Sequence, residues 1–121
     1  MATQTVTGID VEALRQGLEE KDAARLASLF ADDAVLQTVS HAHPPASPLR
    51  IEGRAAIEAY FRQMPQEISV AVEQVVAGTD GRVVVGTVCR YPDGKQVCSA
   101  GLATPEEGKI ARLELIEAWD E

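Results

Sequence analysis

The stretch that decides the fold runs from residue 83 to residue 119, VVVGTVCRYPDGKQVCSAGLATPEEGKIARLELIEAW. Three runs rich in β-branched and apolar residues are punctuated by PDG at 92–94 and PEEG at 105–108. That pattern predicts strands over 83–91, 95–104 and 109–119, joined by tight turns. The run before it, 68–77, closes on the turn at 78–81 and adds a fourth strand. Four consecutive strands with short turns form an antiparallel meander.

Turn length sets which side chains share a face. If Asp93-Gly94 forms a two-residue turn, Tyr91 pairs with Gln96 and Cys89 faces Cys98. With the next turn at 105–108, Ala100 opposes Leu113, Cys98 opposes Leu115 and Gln96 opposes Glu117. The predicted inward face then holds Val85, Thr87, Cys89, Cys98, Ala100, Leu102, Ala111, Leu113 and Leu115. Its polar end holds Tyr91, Gln96 and Glu117, with Trp119 beyond. The other face carries Val84, Val88, Arg90, Val97, Ser99, Ile110, Arg112, Glu114 and Ile116. That face is too apolar for full solvation, so a homodimer through this convex side is expected.

Ahead of the meander the period changes from 2 to 3.6. In IDVEALRQGLEEK, Val11, Leu14 and Leu18 share one helical face, with Thr7 and Asp10 placed as a capping box. Asp22 caps a second helix, DAARLASLF, which buries Leu26, Leu29 and Phe30. Val35, Leu36, Thr38 and Val39 suggest a first strand, with Asp32-Asp33 as a turn pair before it. GRAAIEAYFRQM is a third helix with Ile57, Tyr60, Phe61 and Met64 on one side, stopped by Pro65. Helices followed by a strand meander predict one α+β domain spanning 1–121, its helices covering a curved sheet. The open end of such a sheet is where small molecules bind.

Bulk properties narrow the function. The 121 residues are 45% apolar, enough for a core. Eleven basic against 19 acidic residues give a net charge of −8, which repels nucleic acid and anionic membranes. The longest apolar run, 83–89, cannot span a bilayer. MATQTVTGID has no basic segment followed by an apolar one, so cytoplasmic location and reduced thiols are expected.

LASLFADDAVL at 26–36, IEGRAAIEAYF at 51–61 and GKIARLELIEAWD at 108–120 resemble the nuclear transport factor 2-like (cystatin-like) superfamily, in its SnoaL-like and ketosteroid isomerase-like branch. The likeness covers nearly the whole chain. It implies a cone of curved sheet and three helices around a pocket, commonly dimeric, in isomerases, cyclases, hydrolases, dehydratases or non-catalytic binders. Ketosteroid isomerases use an aspartate base with a tyrosine and a protonated aspartic acid. Those positions fall on Thr38, Leu14 and Ala100, so all three groups are missing. No Asp–Arg–Asp set of the epoxide-hydrolase kind is present either. The resemblance implies no cofactor.

Candidate chemistry comes from the predicted open end. Glu117, at the edge of an apolar wall, suits a general base. His41 and His43 lie in the proline-rich SHAHPPASPL, residues 40–49. In an extended segment they face one side and could shuttle protons with Glu117. Two imidazoles fall short of a zinc set, so no metal is expected. Thr38, Tyr60, Tyr91, Cys98, Ala100 and Trp119 are the expected ligand contacts. Opposed Cys89 and Cys98 would sit within disulfide range, about 4.5–5.5 Å apart at Cα, although a cytosol favours two small buried thiols. The expected function is a pocket for a small apolar or weakly polar organic molecule. It is either a cofactor-free isomerase, lyase or cyclase, or a non-catalytic binding or dimerisation domain.

Overall fold

The computed structural model describes residues 8–120. The order is α1 (Val11–Glu20), α2 (Ala23–Ser28), β1 (Phe30–Val39), β2 (Leu49–Glu52), α3 (Arg54–Arg62), β3 (Ser69–Ala77), β4 (Val83–Arg90), β5 (Gln96–Glu106) and β6 (Lys109–Trp119). This is the expected α+β arrangement of three helices and a curved, mostly antiparallel sheet. Thr7 lies outside the described residues. Asp10 is the N-cap of α1, accepting from Ala13 N at 3.0 Å, and not the third helical residue of a capping box. Asp22 caps α2 as expected, accepting from Arg25 N. A Cβ on Gly17 would meet Leu26 Cδ2 at 2.9 Å, so glycine lets α1 and α2 approach closely.

The sheet runs β2-β1-β6-β5-β4-β3. Every neighbouring pair is antiparallel except β1 with β6, which is parallel. Two features depart from the expectation. Residues 49–52 form β2, a short edge strand too brief for an alternating pattern to reveal. Asp32 and Asp33 lie inside β1 at a register irregularity, where Asp32 pairs with Arg54 at 2.7 Å.

The larger correction is register. Gly94 N donates to Tyr91 O, and Tyr91 N donates to Lys95 O. The loop is therefore three residues, Pro92-Asp93-Gly94, with Gly94 at φ 91°. A two-residue turn would need an N–H at position 92, and proline has none. The next turn is Glu107-Gly108, both at positive φ, with an irregularity at 104–105. Each difference shifts the pairing by an odd number of residues. The two cancel for β6 from Leu113 onward, so β4 and that part of β6 keep their expected faces, β5 flips, and the start of β6 departs at the irregularity. Cys98, Ala100 and Leu102 turn to the convex face, while Val97, Ser99 and Gly101 turn inward. Ile110, expected outside, is fully buried. Cys89 faces Val97 and both cysteines are free, so the opposed pair does not form.

The inward side chains line up in rows. Val83, Ala103, Leu113 and Leu36 form the lowest, all buried, closed over by Leu26, Phe30, Ile57 and Phe61. Above it run Val85, Gly101, Leu115, Thr38 and Leu49. A Cβ on Gly101 would fall 2.6 Å from Leu115 Cδ2, so Leu115 lies across it. The third row is Val72, Thr87, Ser99 and Glu117, and the fourth is Val70, Cys89, Val97 and Trp119. The core thus occupies one end of the cone, and polarity rises toward the other.

Candidate functional site

The third row gathers polar side chains. Thr87 and Ser99 stand opposite each other and their hydroxyls are hydrogen-bonded. Ser99 in turn faces Glu117. Glu117 is half-buried, and its Oε1 accepts from Trp119 Nε1 at 3.2 Å. Among the described residues no cation pairs with it. The Tyr91 ring centroid lies 6.2 Å from that of Trp119, forming the outer aromatic rim. From α3, Tyr60 packs edge-on against Phe61 at 5.4 Å.

The electrostatics single out Glu117. Burial pushes the Tyr60 phenol up to about 12, and the Glu117 carboxylate and then Cys89 add to the shift. Burial also raises the Cys89 thiol, with Glu117 next in effect, so this sulfur stays protonated and is a poor nucleophile. Tyr91 is raised by burial first, then by Cys89 and Glu117. Tyr60 on α3, Cys89 on β4 and Tyr91 just after β4 therefore all feel the Glu117 carboxylate. One row deeper, Thr38 is 3% exposed and its Oγ1 has no hydrogen-bond partner.

The histidine loop reaches the expected end. Val39 lies beside Ile116 in the parallel ladder, so β1 delivers residues 40–48 next to the end of β6 that bears Glu117 and Trp119. The segment is not extended, however. Ser40 N donates to His43 O at 2.9 Å and His43 N donates to Ser40 O at 3.1 Å, closing a tight turn. His41 sits exposed at its tip and His43 is half-buried. The two imidazoles therefore do not share a face. Among the described residues neither makes a side-chain hydrogen bond, and the bond from Trp119 to Glu117 stands where a histidine contact was expected.

Of the expected contacts, the structure gathers Glu117, Tyr60, Tyr91 and Trp119 around one end of the concave face, with Thr38 deeper. It removes Cys98 and Ala100, both exposed on the other side. It adds Ser99 and Cys89. The signal that could have found Ser99 is Pro92, whose missing N–H excludes the shorter turn. Among the described residues no group of three or more His, Cys, Asp or Glu could hold a metal ion.

The chain matches the SnoaL-like domain family over residues 11–113 and belongs to that family. No curated protein matches it. Solved structures share its fold. One is provisionally named a ketosteroid isomerase, from Kribbella flavida DSM 17836, with 19% identity and a TM-score of 0.70 over 92% of this chain and 75% of that one. Another is an NTF2-like protein of unknown function from Burkholderia xenovorans LB400, with 16% identity and a TM-score of 0.75 over 92% and 81%. A third is provisionally named an isomerase, from Bacillus subtilis, with 25% identity and a TM-score of 0.65 over 91% and 85%. The fold and superfamily are those the sequence resemblance implied.

Proposed function

We propose that the concave face binds a small, weakly polar organic molecule and that Glu117 moves a proton on it, making the chain a cofactor-free isomerase, lyase or cyclase. The observation that carries this reading is a half-buried carboxylate with no cation partner among the described residues, set at the edge of an apolar wall. Such a group is free to accept a proton from a bound carbon acid. Tyr60 stays neutral up to about 12 and so remains a hydrogen-bond donor at physiological pH. His41 and His43 are peripheral in this reading, since His41 is exposed at the tip of a tight turn and neither imidazole makes a side-chain hydrogen bond among the described residues.

The test works with simple carbonyl compounds in place of the substrate. A panel of small ketones is incubated with the protein in D2O, and hydrogen–deuterium exchange beside the carbonyl is followed by NMR. The expected result is faster exchange for at least one ketone, lost in Glu117→Gln. Equal exchange by both proteins rules out the base. A second reading, non-catalytic binding, is favoured by one observation: Thr87 bonds Ser99 and Trp119 bonds Glu117, so the rim satisfies much of its own polarity. It predicts ligand retention by Glu117→Gln without any exchange.

The same proposal includes cytoplasmic residence and a homodimer. Ile116 is 64% exposed and Val84 47% exposed on the convex face, beside Ala100 and Leu102. A second copy is the occupant that would cover a twofold-related patch of this kind. Sedimentation should give a dimer for the wild type and a monomer for Ile116→Glu.

A further inference from the structure

The rim accounts for one polar group of a ligand. The second row raises a separate question. Thr38 is the one buried polar residue among the described residues, and its Oγ1 has no partner. A buried hydroxyl without a partner costs stability, so its place needs a reason. Its neighbours offer none: Leu115 and Leu49 flank it in the ladder, with Gly101 and Val85 beyond. All four present hydrocarbon or bare backbone to the concave side. Leu115 and Leu49 are only half-buried, so this row is not sealed like the one beneath it.

From this, resting on the pocket reading above, we infer that Thr38 is a specificity-determining residue, donating a hydrogen bond to a neutral oxygen on the deep end of the ligand. The oxygen is neutral for two reasons. An anion would meet the field of Glu117, which pairs with no cation among the described residues, and a cation would meet a hydroxyl surrounded by leucines. Strand geometry puts the Cα atoms of Thr38 and Glu117 about 8 Å apart, one strand over and two residues along. The ligand therefore enters oxygen first. It spans from Thr38 to the Glu117 carboxylate, which fixes which of its carbons lies near the base.

The test compares acetophenone with α-methylstyrene, which replaces the carbonyl oxygen by a CH2 of similar shape. Binding of each is followed by shifts of methyl NMR signals. Wild type should prefer the ketone by about three- to ten-fold, the worth of one hydrogen bond to an uncharged group. Thr38→Val, which keeps the shape, should bind both probes equally. Thr38→Ser should restore the preference. Thr38→Val should also unfold at a temperature no lower than wild type, because it removes an unsatisfied hydroxyl. Equal binding of the two probes by wild type overturns the inference while leaving the pocket intact. A ketone preference that survives in Thr38→Val overturns it too. Binding of neither probe overturns the pocket reading, and this inference with it. Loss of deuterium exchange in Glu117→Gln reports on the base alone, so the two claims fail separately.

Discussion

The two ends of the cone are built from the same strands, yet they obey different rules. At the closed end, Leu26, Phe30, Leu36 and Ile57 are fully buried, and every inward position is hydrocarbon. At the open end the same four central strands carry Thr38, Thr87, Ser99, Glu117 and Trp119. Moving two to three residues along a strand, about 7–10 Å, converts core into site. The candidate site is therefore not an insertion or a loop cluster. It is the upper half of the core with water and polar groups admitted, and its precision comes from packing below it.

Mutation should split along that line. The largest loss is expected for Phe30→Ala, about 3–5 kcal/mol by denaturant unfolding, because the cavity left beside Phe61 cannot collapse. Trp119→Ala, at 52% exposure, should cost under about 1 kcal/mol. Similar costs at both ends would break the comparison. Next is Gly17→Ala, expected to cost about 1–3 kcal/mol by overpacking on Leu26, which is fully buried and cannot yield.

The smallest effect sharpens the electrostatics. Tyr60 ionises near 12 against an ordinary 10.0, so the folded state holds its proton more tightly than the unfolded chain. That contribution is fully present below pH 10 and is lost as pH rises through about 12. Absorbance titration should show the late phenol. In Glu117→Gln it should move down only part of the way, because burial is the leading cause. A return to the ordinary value would mean that Glu117, not burial, governs the site.

Much of this was legible in the sequence. The Asp22 cap, the apolar faces of α1 and α3, and the four-strand meander were readable from local sequence, whereas the capping box placed Asp10 three residues inside a helix that it in fact caps. The faces of β4 and of β6 from Leu113 onward came out as expected, although through two odd slips that cancel. What failed depended on one backbone N–H. Treating Asp93-Gly94 as the whole turn ignored that Pro92 cannot donate, and β5 flipped as a result, exchanging Ser99 and Gly101 for Cys98 and Ala100. Glu117, Tyr60, Tyr91 and Trp119 lie at the expected end of the sheet because their placement needs only strand order and helix period. An extended 40–49 segment is the reading that differs, because bonds between Ser40 and His43 close a tight turn and the two imidazoles do not share a face. Thr38 was expected at the pocket, but its orphaned hydroxyl is a property of packing that no single sequence displays.

The parallel pairing of β1 with β6 has a consequence for how the chain is made. β1 is complete by residue 39, but one of its two neighbours is the last strand, Lys109–Trp119. Until that strand leaves the ribosome, the β1–β2 hairpin and the β3–β5 meander have no ladder between them. Synthesis at about 5–20 residues per second would leave β1 waiting several seconds with an open, apolar edge. Closure is then a long-range event, which slows folding relative to a helical chain of this length. The strand that carries the Glu117 carboxylate is thus also the strand that joins the two halves of the sheet, so a chain stalled before residue 109 lacks both.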